Sequence, residues 1–334
     1  MIISKTPYRI SFFGGGSDYP EWYLKNGGCV ISSTINKFIY ISCRELPPYF
    51  QYKYRIVYSE TEMVQNLNEI KHAVIRNVLN KFKNEVFFKK AGLEVHYDGD
   101  FPSRTGIGSS SAFSVGFLNL MNNFFKKKIS KKKLAHESIC LEQDVLKETV
   151  GSQDQISTSY GGFNEINFFK NGGYEVIPLI TNKNDLIALE NQMILVFSGV
   201  RKRSKTANNI AGSYVSTFTN NNKKHIFEII EHVKIAKKIF INKSFQDIGP
   251  LLNETWKIKK KLSSFISNPE VDEIYNLGMK NGSTGGKLLG AGGAGFILFF
   301  VPKKNRKNFL KAFKNFTTIN FKFENEGSKI IFNQ

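Results

Sequence analysis

Between Phe101 and Ala112 the chain reads FPSRTGIGSSSA, and the stretch that follows, to about Phe125, is apolar on nearly every side. A helix with Phe113, Val115, Phe117, Leu118, Leu120 and Met121 around its circumference has to be buried. The turn that opens it therefore lies against a core. Gly106 and Gly108 carry no side chains, so backbone N–H groups there can approach an anion closely. Ser109, Ser110 and Ser111 add hydroxyl donors where the helix begins. The helix start itself supplies unpaired N–H groups and partial positive charge. Together these features make a cradle for phosphates. A plain serine-capped helix after a glycine turn would use the same letters. The segment is neither a dinucleotide fingerprint nor a P-loop, because it has no third spaced glycine and no lysine after the second. Gly285-Gly286-Lys287 continues into Leu288, so it is not a P-loop either.

The length, 334 residues, accommodates one large domain or two ordinary ones, and 41% hydrophobic with 22% charged residues is ordinary for a globular chain. The formal net charge of +19 raises three readings: nucleic acid, a membrane surface, or anionic small substrates. The lysine runs 126–133, 257–261 and 303–307 are scattered and accompany no groove-reading motif. They read as solvated faces with a bias toward phosphorylated ligands, and nucleic acid is not expected as a partner. Cys29, Cys43 and Cys140 form no CxxC, and the five histidines show no metal-ligand spacing. Lys5 and Arg9 interrupt the apolar N-terminus, which reads as a strand rather than a signal peptide. The longest apolar run, Phe296–Val301, is too short to span a bilayer, so no membrane partner is expected and a cytoplasmic location follows by default.

The pattern is α+β. Strands are expected over Ile2–Phe13, Gly28–Ser42, Arg55–Tyr58, Leu93–Tyr97, Met193–Phe197 and Phe296–Val301, with a hairpin over Phe163–Phe169 and Glu175–Pro178. Helical spacing runs through Glu62–Asn80 and Lys131–Thr149, and the chain between 200 and 273 reads as mostly helical. Composition changes near 179–192, which places a domain boundary at about 185 and gives domains 1–185 and 186–334.

Three further clusters carry chemistry. Glu142 and Asp154 stand twelve residues apart around Val150-Gly151-Ser152-Gln153. A carboxylate on a buried helix near a phosphate loop can hold Mg²⁺ together with a hydroxyl and waters; an exposed helix charge and a helix cap would look the same. Asp18 and Tyr19 follow Gly14-Gly15-Gly16-Ser17, where a short acid can accept sugar hydroxyls or simply close a turn. Arg201, Lys202, Arg203 and Lys205 follow the strand Met193–Phe197, and arginine suits bidentate phosphate contact. Arg104, inside the glycine/serine loop, is a rival for that role.

Pro102-x-x-x-Gly106-Ile107-Gly108-Ser109-Ser110-Ser111-Ala112 resembles the second motif of the GHMP kinases. Thr6–Tyr19 is similar to their first motif and Lys287–Phe296 to their third, in the same order across roughly the whole chain. The Gly-Gly-Gly-Ser-Asp-Tyr form departs from the galactokinase pattern and resembles the D-glycero-D-manno-heptose 7-phosphate kinases. Gly151–Gln155, Gly161–Asn164, Trp256 with its lysine run and Gly286–Gly292 do so as well. Fucokinase-like sugar 1-kinases share these forms.

The resemblance implies the two-domain α+β GHMP kinase fold, with a left-handed βαβ unit in the N-terminal domain and a ferredoxin-like C-terminal domain. It implies ATP along Arg104, Thr105, Gly106, Ile107, Gly108, Ser109, Ser110 and Ser111, with Mg²⁺ on Ser110 and Glu142. Asp154 and Arg9 become catalytic. Gly16, Ser17, Asp18 and Tyr19 hold the sugar, and Gly292 supports the site; Arg201 and Arg203, by their charge and their place after the strand, are expected to bind its phosphate. The implied reaction is phosphorylation of the anomeric (C1) hydroxyl of D-glycero-D-manno-heptose 7-phosphate, on a route to nucleotide-activated heptose for surface polysaccharide. Fucokinase- and galactokinase-like sugar 1-kinases remain alternatives, as does a silent sugar or ATP sensor, against which both carboxylates argue. A homodimer is left open.

Overall fold

The computed structural model describes residues 1–201, 207–216, 218 and 222–334. Its first sheet is built around one long strand. Strand β1 (Ile2–Phe13) is followed by β2 (Gly28–Leu46), β3 (Tyr54–Val57), β4 (Thr61–Val64), β5 (Gly92–Gly99), β6 (Phe163–Phe168) and β7 (Tyr174–Ile180). β2 pairs antiparallel with β1 over most of its length. On its other edge the first part of β2, Gly28–Ser33, takes β6, and the later part, Ile39–Leu46, takes β5. β3 is parallel to β5, and β4 and β7 close antiparallel hairpins with β3 and β6. The second sheet contains β8 (Met193–Phe197), β9 (Gly285–Leu288), β10 (Phe296–Phe300) and β11 (Thr318–Ile319), in the order β11-β8-β10-β9.

The helix Ser109–Phe124 is buried at every position from Ser111 to Asn122, which is why it is apolar all round. It lies directly on β1. A Cβ on Gly116 would come within 2.7 Å of Thr6 Oγ1, so the glycine sets that close approach. On the other half, Ile194, Val196, Ile297 and Phe299 of the second sheet pack with Trp256, Ile274 and Phe309 from the C-terminal helices.

Two helices are shorter than their sequence spacing predicts. The stretch Glu62–Asn80 begins as strand β4 and a 3₁₀ turn, and the helix starts only at Ala73. Glu62 is buried and spends its carboxylate on the backbone N–H groups of Lys71 and His72, at 2.5 and 3.0 Å. That folds the segment back onto the sheet. The helix from Lys131 ends at Cys140 rather than Thr149 and passes into a π-type turn, Leu141–Val145, before Lys147 adopts φ 56°. The turn leaves Glu142 fully buried.

The chain's end returns to its beginning. β12 (Phe323–Glu324) pairs with Ile35 and Thr34 of β2, and β13 (Lys329–Asn333) pairs with Ile2–Lys5 of β1. Phe323 packs on Phe163 with ring centroids 5.3 Å apart. Among the described residues no helix is long and apolar enough to cross a membrane. The last strands complete the first sheet, so a chain ending at Asn320 should melt at least about 5 °C lower by calorimetry. An unchanged melting temperature would show that these pairings carry no stability.

Candidate active site

The phosphate-cradle turn is shaped by backbone conformations that favour glycine. Gly106 and Gly108 lie at φ 82° and 74°, and Arg104, unusually for a side-chain-bearing residue, at 66°. Gly106 also permits a close approach. Its Cβ would sit 2.4 Å from the carbonyl oxygen of Leu289, and a Cβ on Gly290 would sit 2.6 Å from Gly106 Cα. The second glycine cluster therefore backs directly onto the turn, and Phe296 N–H donates to Thr105 O at 3.0 Å. Thr105 and Ile107 are fully buried, with Thr105 Oγ1 donating to Pro102 O at 2.9 Å, so these two frame the turn from behind. Arg104, Gly106, Gly108, Ser109, Ser110 and Ser111 face a cleft of about 1010 Å³.

Arg9 and Asp154 meet at the mouth of this turn. Arg9 Nε and Nη2 each donate to one carboxylate oxygen of Asp154 at 2.6 Å, and Nη1 donates to Gly106 O at 2.8 Å. Arg9 is buried, whereas the Asp154 side chain keeps 21% of its surface. Asp154 stands in the first turn of the helix Gln153–Tyr160, and a Cβ on Gly108 would lie 3.3 Å from its Oδ2.

Asp18 lies on the same cleft. Its Oδ1 accepts the Gly16 N–H at 2.9 Å, and a Cβ on Gly151 would lie 1.9 Å from its Oδ2, so any side chain at 151 would displace the Asp18 carboxylate. Burial, with the negative charge of Asp154 adding to it and the Gly16 N–H opposing, pushes Asp18 up to about 6. Gly16 and Tyr19 also line the cleft, and the Tyr19 hydroxyl pairs with that of Tyr214 at 2.8 Å. Ser17 does not join them. Its hydroxyl donates to Gly14 O and Cys29 O at 2.8 and 2.9 Å, which fixes the turn rather than facing the cleft.

Glu142 is fully buried, and its Oε2 accepts the hydroxyl of Ser111 at 2.8 Å and the side-chain amide of Gln155. The expected partner was Ser110. Consecutive helical residues point about 100° apart, and here Ser111 turns inward while Ser110 is exposed. Burial, with Glu148 adding to it, raises Glu142 to about 7 against the opposing hydroxyls of Ser114 and Ser111 and the amide of Gln155. Among the described residues its Oε1 is buried with no hydrogen-bond partner, and the hydroxyl of Ser114 is likewise unpartnered. An unpartnered carboxylate oxygen beside a hydroxyl is a donor set of the kind Mg²⁺ takes, and it fits that ion.

Arg201 is buried on the cleft wall, with Nε donating to Gly292 O at 2.9 Å. Gly292 itself supports from behind, at φ 120°, packed against Ile266. Arg203, with Lys202 and Lys205, lies outside the described residues. The run Lys257–Lys261 is not wholly a solvated face. Lys259 is buried on the cleft, its Nζ 2.6 Å from Gly290 O, and burial with the repulsion of Arg9 lowers it to about 8. The sequence gives no sign that Tyr214 lines the cleft, or that Tyr58, His72, Tyr97 and Phe113, which meet edge and face, do so.

Two family models match the chain: the GHMP kinases N terminal domain over residues 68–162 and the GHMP kinases C terminal over residues 236–316, together just over half of it. The D-glycero-alpha-D-manno-heptose 7-phosphate kinase of Campylobacter jejuni is 27% identical over 334 residues, covering 98% of each chain. The mevalonate kinase of Methanocaldococcus jannaschii is 27% identical over 74% of this chain and 77% of that one. A crystal structure of a D-glycero-D-manno-heptose 1-phosphate kinase from Bacteroides thetaiotaomicron superimposes with a TM-score of 0.80 at 21% identity, over the whole of both chains. With both domain models matched in order and the fold shared, the chain belongs to the GHMP kinases.

Proposed function

We propose that this kinase transfers the γ-phosphoryl of ATP to the anomeric (C1) hydroxyl of D-glycero-D-manno-heptose 7-phosphate, giving the 1,7-bisphosphate and ADP. The observation that carries the reaction is the Arg9–Asp154 pair at the mouth of the glycine/serine turn, with Asp18 on the same cleft. The substrate rests on the end-to-end likeness to the Campylobacter heptose 7-phosphate kinase. In this reading residues 1–185, completed by β12 and β13, form the nucleotide domain, and 186–320 the second domain. The enzyme works in the cytoplasm, on a route to nucleotide-activated heptose for surface polysaccharide.

The triphosphate lies along the backbone of Gly106–Ser111, whose N–H groups and helix start favour negative charge. Asp18 accepts sugar hydroxyls and orients the ring. The C1 hydroxyl attacks phosphorus, the new C1–O–P bond forms as the bond to the ADP oxygen breaks, and the hydroxyl proton passes to Asp154. A loose transition state asks little basicity of that carboxylate, so its main contribution is placement. Arg9 fixes both Asp154 oxygens and adds positive charge where negative charge develops. Glu142 and Ser111 would hold Mg²⁺, with Ser110 at the cleft side of the same helix start, and a bound ion would neutralise phosphate charge.

A coupled ADP-release assay should show heptose 7-phosphate preferred over unphosphorylated heptose, fucose and galactose; preference for one of the latter would reject this substrate. Asp154→Asn should lower kcat by about 10²–10⁴-fold with ATP affinity changed less than about threefold, and near-normal turnover would remove Asp154 from the chemistry. Asp18 protonates as pH falls through about 6 and then loses acceptor capacity. At saturating Mg·ATP, kcat/KM for unphosphorylated heptose, which carries no phosphate titrating near that pH, should therefore fall below it, and Asp18→Asn should abolish the limb as well as lowering the plateau. An identical limb in the variant would assign it elsewhere. Glu142→Gln should raise the half-saturating Mg²⁺ concentration by about tenfold or more; an unaltered Mg²⁺ dependence would exclude Glu142 as a ligand.

A further inference from the structure

The cleft holds two buried cations that the reaction as described does not use. Lys259 reaches it from the helix Ile248–Lys261 and is 7% exposed; Arg201 stands beyond the end of β8 and is 5% exposed. Both hang from one glycine turn. Lys259 Nζ donates to Gly290 O at 2.6 Å and Arg201 Nε to Gly292 O at 2.9 Å. Each head makes this single hydrogen bond among the described residues, and neither forms an ion pair with a carboxylate there. They repel each other, and Arg9 repels Lys259 as well. Burying an ammonium and a guanidinium together is costly unless a shared anion completes them. Arg9, the neighbouring cation, is already matched by Asp154 through two hydrogen bonds.

The two cations border the triphosphate cradle without belonging to its turn: the Arg201 backbone N–H reaches Arg104 O at 3.5 Å, and Lys259 is held by Gly290. Gly290 abuts Gly106, but the turn then runs off toward Gly292, packed against Ile266, and Gly293, packed against Ile210. Lys259 and Asp18 line the same cleft, and the charge of Asp18 favours the ammonium. A planar guanidinium fork beside a point charge is a recognition set for a phosphate dianion.

We propose that Arg201 and Lys259 form the subsite for the phosphate monoester of the acceptor, separate from the cradle that holds the nucleotide. This rests on the reading that the acceptor is a sugar phosphate. It makes the two residues determinants of specificity for phosphorylated over plain sugar.

The test is the ratio of kcat/KM for heptose 7-phosphate to that for unphosphorylated heptose, in wild type, Lys259→Gln and Arg201→Gln. Each variant should lower the ratio by at least about 30-fold, the scale of removing one partner from a buried charge pair. A ratio unchanged by both, with activity lost equally on both sugars, would move the cations to the transferring phosphoryl and overturn the subsite. Wild-type protein gives a second readout that needs no variant to fold. At saturating ATP, inorganic phosphate should inhibit competitively against heptose 7-phosphate; competition against ATP instead would overturn the proposal. If wild type phosphorylates no heptose at all, it is the substrate reading that fails. Calorimetric binding of inorganic phosphate then still decides the subsite, lost in both variants if it exists and unaltered if it does not.

Discussion

One guanidinium organises the reacting end of this protein. Arg9 sits in the middle of the first strand, and its side chain ties that strand to two other elements, the glycine/serine turn through Gly106 O and the helix Gln153–Tyr160 through Asp154. Its own backbone N–H reaches Ile107 O at 3.1 Å, so strand and turn are joined twice. A buried ion pair contributes little net stability, because desolvation offsets most of the attraction. What it contributes here is uniqueness of placement. Two parallel N–H···O bonds leave the carboxylate one orientation. Gly108 belongs to the same arrangement, since a Cβ there would press on Arg9 Cγ at 3.1 Å and on Asp154. The turn's glycines thus serve the ion pair as well as the phosphates.

The second constraint is contact of backbone on backbone between the two halves of the chain. Gly106 lies on Leu289 and Gly290, and Gly295 lies on Thr105 with a Cβ distance of only 2.3 Å. No side chain separates the nucleotide turn from the turn that carries Lys259 and Arg201. Interfaces of this kind have no soft layer to absorb displacement. The helix Ile248–Lys261 is tied to Gly290 through Lys259, and Gly290 in turn lies against Gly106 of the phosphate turn. Neither half holds a complete site, and the register between nucleotide and acceptor is set where the glycines touch.

What could be read from the sequence follows the range of the forces involved. The turn 102–108 and the buried helix after it were legible because glycine, serine and all-round apolarity constrain the backbone locally. Met193–Phe197 was legible as an apolar run stopped by Ser198-Gly199. Glu62–Asn80 was not, because the partner that ends the helical stretch is a buried carboxylate folded over from the hairpin. β12 and β13 pair with strands some three hundred residues earlier, beyond any local signal. Ser110 and Ser111 are alike in composition, and only the helical phase relative to Glu142 separates them. Lys259 looked like its neighbours in a lysine run, yet a usable sign was present. Leu252, Thr255, Trp256 and Lys259 are buried at i, i+3, i+4 and i+7, one face of the helix with a lysine on it.

The charges on the cleft, and Glu142 buried beneath it, divide by environment rather than by type. Asp154 is partly exposed and already matched by Arg9, so its ionised form has a partner within the protein. Asp18 and Glu142 are buried and raised to about 6 and about 7, and Lys259 is lowered to about 8. In each of these three, burial is the leading cause and disfavours the charged form. Sugar hydroxyls donated to Asp18, a cation at Glu142 and a phosphate at Lys259 would each favour the charged form instead. Part of the binding free energy of the reactants is then coupled to the ionisation of groups whose charged forms the protein alone disfavours. A sugar without its phosphate leaves one of the three uncompensated. Discrimination between acceptors can therefore come from the unmatched buried charge and need not rely on a steric barrier.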